Sequence, residues 1–200
     1  MPTATDQAKK FIAAHGRGFR TRDALAAGIH PSTLYALRDA GTIEPLTRGL
    51  YRLARLAPPA DPDLAIVAGR IPQGVICLIS ALALHDLTTQ IPHAVHLAIA
   101  RTTRYPKLAH PPLEVYRFSK QPFEAGIETR DIGGVSVRLY NAEKTLADCF
   151  KYRHKLGLDL VLEALKRYRS KRGANFQRVL EYARVNRVER AMRPYLEALA

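Results

Sequence analysis

The apolar residues between positions 21 and 53 have helical spacing first and then form two short runs around a turn. The first helix starts at Thr21, whose side chain can cap it, and ends at Gly28, which can adopt a positive φ. The second helix starts at Pro31, because a missing N–H costs nothing in the first turn. Two helices followed by a hairpin are the layout of a winged helix-turn-helix, a DNA-binding fold.

The second of these helices is the predicted recognition helix. Leu34 and Leu37 stand three residues apart and are expected to face the core. The opposite surface then carries hydroxyls, an aromatic ring and a guanidinium, which can reach base edges or phosphates. These side chains are Ser32, Thr33, Tyr35 and Arg38.

The hairpin that follows is the predicted wing. Its turn, Thr47-Arg48-Gly49, places Arg48 near the tip and Arg52 on the return strand. Both arginines are expected to reach the DNA backbone or the minor groove beside the recognition helix. Three residues at the start of the first helix are expected to hold phosphates: Arg20, Thr21 and Arg22. A further helix over roughly residues 6–15, with Ala8, Phe11 and Ile12 on one face, would complete the small core.

The periodic pattern breaks at residues 54–63, where three prolines and the lack of an apolar period predict a linker. We therefore expect two domains, a winged helix-turn-helix DNA-binding domain over residues 1–57 and a second domain over residues 61–200.

The second domain is predicted to be α+β. Residues 95–100 and 113–118 have the composition of strands, and Gly133-Gly134 joins two further strand-like segments as a hairpin. From Asn141 onward the pattern is helical. The chain as a whole is thus expected to be α+β, with a small mixed sheet and a helical C-terminal third.

The charge of the chain agrees with a DNA-binding role. Lys and Arg number 31 against 18 Asp and Glu, a net charge of +13 with a pI of about 10.1. Such an excess is typical of proteins with a polyanionic partner, and nucleic acid ranks ahead of an anionic membrane. The densest basic cluster lies in the helical third and is a candidate secondary nucleic-acid contact, or else a solvated helix surface: Lys166, Arg167, Arg169, Lys171 and Arg172.

Signals for metals, cofactors and other compartments are weak. The two cysteines, Cys77 and Cys149, form no CxxC element, and His85, His93 and His96 lack the spacing of a zinc site. Phosphate-loop glycine motifs are missing, as is an apolar window of 18 residues. We therefore expect no metal, no cofactor and a cytoplasmic location.

The segment from residue 140 to 153 is a candidate active site, because it carries Glu143, Lys144, Asp148 and Lys151. A helix would place the last three on one flank. The alternative is an amphipathic helix that is anchored by its apolar side chains, with Glu143 and Lys144 solvated in the first turn. We favour the structural alternative and expect no catalytic residues, although a nuclease stays a third option.

Four segments of the chain resemble the AbiEi family, the antitoxins of type IV toxin–antitoxin systems. They are residues 48–53, 79–92, 140–159 and 181–197. The resemblance implies a winged-helix transcriptional repressor that binds inverted repeats in the promoter of its own operon. It also implies an antitoxin that opposes a nucleotidyltransferase-type toxin without forming a stable complex with it. The alternative is an RNA- or toxin-binding module that uses the basic C-terminal helices.

Overall fold

The computed structural model describes residues 8, 10–12, 14, 18–56 and 59–199, and its contacts divide the chain into two compact units. The first comprises Met1–Pro72 with Thr129–Val137, and the second comprises Gln73–Glu128 with Arg138–Ala200. This division differs from the predicted domains, because the helix over residues 62–70 and a segment from the later hairpin make their contacts within the first unit. The boundary at residues 57–61 stays a prediction for the limits of independent folding.

The first unit has the predicted winged helix-turn-helix. Its elements are β1 (Phe19–Arg20), α1 (Thr21–Ala26), α2 (Pro31–Asp39), β2 (Ile43–Thr47), β3 (Leu50–Leu53) and α3 (Pro62–Arg70). The strands form an antiparallel sheet in the order β1-β3-β2. The two helices and the hairpin are thus confirmed, whereas the two-residue strand β1 was not predicted from the sequence.

Aromatic and aliphatic side chains form the core of this unit. Phe19 lies at its centre, with ring centroids 5.4 Å from Phe11 and 6.1 Å from Tyr51. Leu34 and Leu37 are buried as their spacing predicts. The described residues of the N-terminal helix bury Ala8 and Ile12 in the same cluster, while the predicted helix ends, Asp6 and His15, lie outside the described residues.

The first helix of the pair starts differently from the prediction. Thr21 is its first residue, and the N-cap is Arg20, whose backbone is still extended because it belongs to β1. The backbone N–H of Arg20 donates to the Asp23 carboxylate at 3.2 Å. Thr21 therefore does not act as the cap, and its own N–H donates to the carbonyl of Gly49 in the wing at 3.1 Å.

Helix α3 approaches the wing closely at Gly69, and this contact leads to a stability prediction. A Cβ atom at Gly69 would lie 2.4 Å from Cδ2 of Leu50, a buried side chain with little room to move. We expect Gly69→Ala to lower the free energy of unfolding by about 1–3 kcal/mol through overpacking. Chemical denaturation of wild type, both single variants and the Gly69→Ala/Leu50→Ala double variant measures this.

In the double variant the clash is removed, so the alanine at position 69 should become neutral or stabilising there. An equal penalty in both backgrounds would show that Leu50 is not the cause.

The second unit contains a mixed sheet and a helical C-terminal third, as predicted. Its elements are β4 (Val75–Ile76), α4 (Leu78–Leu84), β5 (Val95–Ala100), β6 (Leu113–Phe118), α5 (Lys120–Glu124), α6 (Ala142–Lys151), α7 (Arg153–Leu156), α8 (Leu158–Arg169), α9 (Phe176–Val185) and α10 (Glu189–Glu197). The hairpin strands β7 (Ile127–Ile132) and β8 (Val135–Tyr140) complete its sheet, although residues 129–137, around their turn, are grouped with the first unit. The strand order is β6-β5-β4-β8-β7. Strand β4 pairs antiparallel with β5 and parallel with β8, and β5 pairs parallel with β6.

Helix α6 is the centre of the second unit and is buried from Lys144 to Phe150. It packs against α4, α8 and α9. The prediction of a solvated Lys144 is therefore wrong, because neighbouring elements surround its turn of the helix. Lys144 and Asp148 are both fully buried, with Nζ 2.5 and 2.6 Å from the two carboxylate oxygens. Glu143 is half-buried and accepts a hydrogen bond from the Tyr168 hydroxyl at 2.7 Å.

Candidate nucleic-acid interface

The outer face of α2 presents most of the predicted recognition residues together. With Leu34 and Leu37 in the core, Ser32, Tyr35 and Arg38 are exposed. Tyr35 is 49% exposed. Thr33 is half-buried beside them. The buried leucines fix the orientation of this face, so these side chains are presented on a rigid element.

Arg38 is held in position by two neighbours on the same helix. Its guanidinium carbon lies 5.1 Å from the centre of the Tyr35 ring, and Nε and Nη2 lie 2.9 and 2.8 Å from Oδ1 of Asp39. The hydrogen bond that Arg38 donates to the Asp39 carboxylate raises the pKa of Arg38, which therefore stays charged. Stacking on Tyr35 and pairing with Asp39 hold the guanidinium in place at the surface of α2.

The first turn of α2 contains a residue that the sequence analysis missed. His30 is the N-cap, and its Nδ1 accepts from the backbone N–H of Ser32 at 3.3 Å and lies 2.7 Å from the Ser32 hydroxyl. Its position directly before Pro31 was the available signal, since a proline in the first turn marks the preceding residue as the cap. The imidazole thus orients the Ser32 hydroxyl at the end of the helix where base contacts are usual.

The wing presents one arginine at its tip. Arg48 is exposed in the turn between β2 and β3, where Gly49 has a φ of +75°. The carbonyl of Arg48 accepts a hydrogen bond from Nη1 of Arg70 at 3.0 Å. Helix α3 therefore fixes the backbone of the tip while the Arg48 side chain stays at the surface.

Arg52 departs from its predicted role because it is only 3% exposed. It lies opposite Glu44 in the sheet, and its Nε donates to Oε1 of Glu44 at 2.7 Å. Its Nη1 donates to the carbonyl of Gly133 at 3.3 Å. The guanidinium is thus buried and hydrogen-bonded within the first unit. The prediction that Arg52 contacts DNA is therefore wrong, and its role is structural.

The three residues predicted to hold phosphates at the start of α1 are placed differently from one another. Arg20 donates from Nε to the carbonyl of Gly69, and its Nη2 is buried, so this side chain connects β1 to α3 rather than facing outward. Burial is the main reason that the pKa of Arg20 is lowered. Thr21 is half-buried. Only Arg22, whose side chain is 70% exposed, keeps the geometry of a phosphate contact.

The second unit places the predicted basic cluster in the last turn of α8 and the loop that follows. All five residues are exposed: Lys166, Arg167, Arg169, Lys171 and Arg172. Arg167 pairs with Glu163 at 2.8 Å, and Lys171 lies 3.7 Å from Asp86. Surface pairs of this kind contribute little and are easily exchanged for phosphates.

The described residues contain neither a metal site nor a membrane-spanning helix. Among the described residues, no group of three or more His, Cys, Asp or Glu side chains is arranged to hold a metal ion. None of the helices in the described ranges has the length and apolar character needed to span a bilayer.

One family model matches the segment that forms the winged helix-turn-helix. Residues 6–54 match the family model described as "Transcriptional regulator, AbiEi antitoxin". A comparison with curated proteins finds no match. Among solved structures, the RV2827C protein from Mycobacterium tuberculosis is similar at 15% identity, with a TM-score of 0.45 over 96% of this chain and 80% of that one. The AbiEi resemblance that the sequence indicates is thereby confirmed for the winged-helix segment, residues 6–54 of the chain.

Proposed function

We propose that the protein is a non-enzymatic DNA-binding repressor that regulates its own operon and acts as the antitoxin of a type IV toxin–antitoxin pair. The observation that carries the proposal is the outer face of α2, where Ser32, Tyr35 and Arg38 are exposed on a helix whose other side is locked in the core. The match of residues 6–54 to AbiEi transcriptional regulators supports it independently.

In the proposed complex, α2 enters the major groove and its exposed side chains contact base edges. Arg48 reaches the adjacent backbone or minor groove from the wing tip, and Arg22 contacts a phosphate near the start of α1. Asp39 lies at the edge of this surface, where it repels phosphates unless Arg38 screens it. The target is double-stranded DNA with inverted repeats in the promoter, and the protein acts in the cytoplasm.

The toxin partner in this proposal is an enzyme of the nucleotidyltransferase class, and the protein opposes it without forming a stable complex with it.

A second candidate function is the binding of RNA or of the toxin itself. It draws on the exposed cluster at the end of α8 in the second unit. Co-purification of RNA or of a protein partner with the full chain would favour that candidate.

A reporter driven by the DNA upstream of the gene tests the regulatory proposal. We expect the wild-type chain to lower reporter output, and a Ser32→Ala/Tyr35→Ala/Arg38→Ala variant to lose the repression. An equally abundant Lys166→Ala/Arg169→Ala/Arg172→Ala variant is the control for lost charge and should still repress. Repression that survives the α2 changes would contradict the proposal.

Rescue of growth on co-expression with a neighbouring toxin tests the antitoxin role separately.

A further inference from the structure

A polar cavity of about 380 Å³ in the second unit is lined by three cationic side chains. Arg101 follows β5, Lys151 ends α6 and Arg187 follows α9. The lining that the structure describes contains no carboxylate, and the three cations form no ion pair with any described residue. The volume falls within the range of small-ligand pockets. Three positive charges therefore meet at one concave site without an acidic partner.

The electrostatics of Lys151 show that these charges act on one another. Burial lowers the pKa of Lys151 most, and the Asp148 carboxylate opposes that shift as the next largest effect. The charges of Lys144, Arg101 and Arg187 each lower this pKa by less. The carboxylate of Asp148 is already neutralised by Lys144 within the core. A bound anion would relieve the repulsion among the three cations at the cavity.

The backbone at Arg187 is in the left-handed region, with a φ of +60°. The N–H of Arg187 donates to the carbonyl of Arg184, and that of Val188 to the carbonyl of Ala183, which is the Schellman ending of a helix. Glycine is strongly favoured at this position because other residues are strained there. An arginine at this position therefore carries a backbone cost that a glycine would not.

Asn186 supplies a second, independent feature of the cavity. It is 3% exposed, and its Nδ2 donates to Oδ1 of Asp148 at 2.7 Å, which fixes the orientation of the amide. Its Oδ1, on the other side of the amide, is buried without a hydrogen-bond partner. A buried acceptor without a partner is unfavourable. A ligand that donates a hydrogen bond from the cavity would satisfy it.

We propose that this cavity binds a phosphate group with an adjacent hydrogen-bond donor, as in a nucleotide or an RNA strand. The guanidinium groups of Arg101 and Arg187 and the ammonium of Lys151 contact the phosphate oxygens, because charge-assisted hydrogen bonds to phosphate are strong. The Oδ1 atom of Asn186 accepts from a hydroxyl or N–H next to the phosphate. This site is separate from the proposed DNA interface of the first unit.

Calorimetric titration of the full chain at constant ionic strength tests the proposal. The probes are ADP, inorganic phosphate and a six-nucleotide single-stranded RNA with hydroxyl ends. We expect ADP or the RNA to bind, and Lys151→Gln and Arg187→Gly each to weaken that binding about tenfold or more. The control Arg190→Gln removes an exposed charge outside the cavity lining and should change the affinity less than about twofold.

The Arg187→Gly variant separates loss of binding from loss of folding. Because glycine adopts the observed φ without strain, the melting temperature of the variant should equal or exceed that of the wild type. Tighter binding of ADP than of the RNA would identify a nucleotide, and the reverse would identify the phosphates of a strand. The proposal is overturned if no probe binds, if Arg187→Gly binds like wild type, or if Arg190→Gln weakens binding equally.

Discussion

Replacing Lys144 by methionine should lower the free energy of unfolding by about 3–5 kcal/mol, because it leaves the buried charge of Asp148 without its partner. Lys144 and Asp148 are both 0% exposed, and the ammonium also lies 4.3 Å from the centre of the Tyr140 ring and 5.0 Å from that of Phe118. Among the residues that the structure describes, only Asn186 would still donate to the carboxylate. Urea denaturation of wild type and variant measures the loss.

Two comparisons make this prediction specific. Lys166→Met changes an exposed lysine of α8 in the same way and should shift stability by less than about 0.5 kcal/mol. The Lys144→Met/Asp148→Leu double variant should recover much of the loss, because a buried pair replaced by apolar groups is often neutral or stabilising. A loss below about 1 kcal/mol in Lys144→Met would contradict a buried, mutually dependent pair.

The loss should also depend on pH. Burial raises the pKa of Asp148, while Lys144 and Asn186 oppose that shift in the wild type. A carboxyl group whose folded-state pKa is raised favours folding when it is protonated. The penalty in Lys144→Met is therefore largest above the pKa of Asp148 in the folded variant. It shrinks as the pH falls from there toward the lower pKa of Asp148 in the folded wild type, because the unfolded state is the same in both. Denaturation at neutral and mildly acidic pH checks this, and a pH-independent penalty would argue against an ionised Asp148.

Replacing Arg38 by alanine should cost about 1–3 kcal/mol of binding free energy on the target DNA and relax the preference for that sequence. The guanidinium is exposed on α2 and is held by Tyr35 and Asp39, so little side-chain entropy is lost when it binds. Fluorescence anisotropy with the upstream DNA and with a scrambled duplex measures both effects. Unchanged affinity together with unchanged preference would remove Arg38 from the proposed base contacts.

Arg48→Ala is the matched comparison, because it removes an equal charge from the wing tip. Binding to both duplexes should weaken alike, with the salt dependence reduced by about one phosphate contact. Arg52→Ala should instead lower stability, since it breaks the buried bonds to Glu44 and to the Gly133 carbonyl. If Arg48→Ala instead weakened binding to the upstream DNA alone, the wing would read the sequence, contrary to the proposal that α2 does.

The elements of the winged helix were predictable because their signals are local. Pro31 and Gly28 mark helix ends, and Leu34 and Leu37 define the buried face, all within a few residues of one another. The outer face of α2 follows directly from that assignment. Strand β1 gave no such signal, because its two residues are defined by pairing with Leu50 and Tyr51 far along the chain.

The burial of charged residues was not predictable for the same reason. Lys144 and Asp148 have the i, i+4 spacing of an ordinary surface pair. Their site is an interior one because distant parts of the chain pack against it, including Asn186 and the ring of Phe118. Likewise, the local sequence around Arg52 predicts a DNA-contacting arginine of the wing. In the structure its guanidinium instead donates to the carbonyl of Gly133, 81 residues away. Local sequence identified the charges but not their partners.

Sequence-specific DNA binding by the first unit is tested by comparing two DNA duplexes. The affinity of the full chain for DNA from immediately upstream of its gene is compared with that for a scrambled duplex across roughly 50–200 mM salt, where phosphate-driven binding falls steeply. We predict a preference for the upstream DNA that persists at the highest salt. Equal affinity for the two duplexes, lost in parallel as the salt concentration rises, would contradict sequence-specific binding.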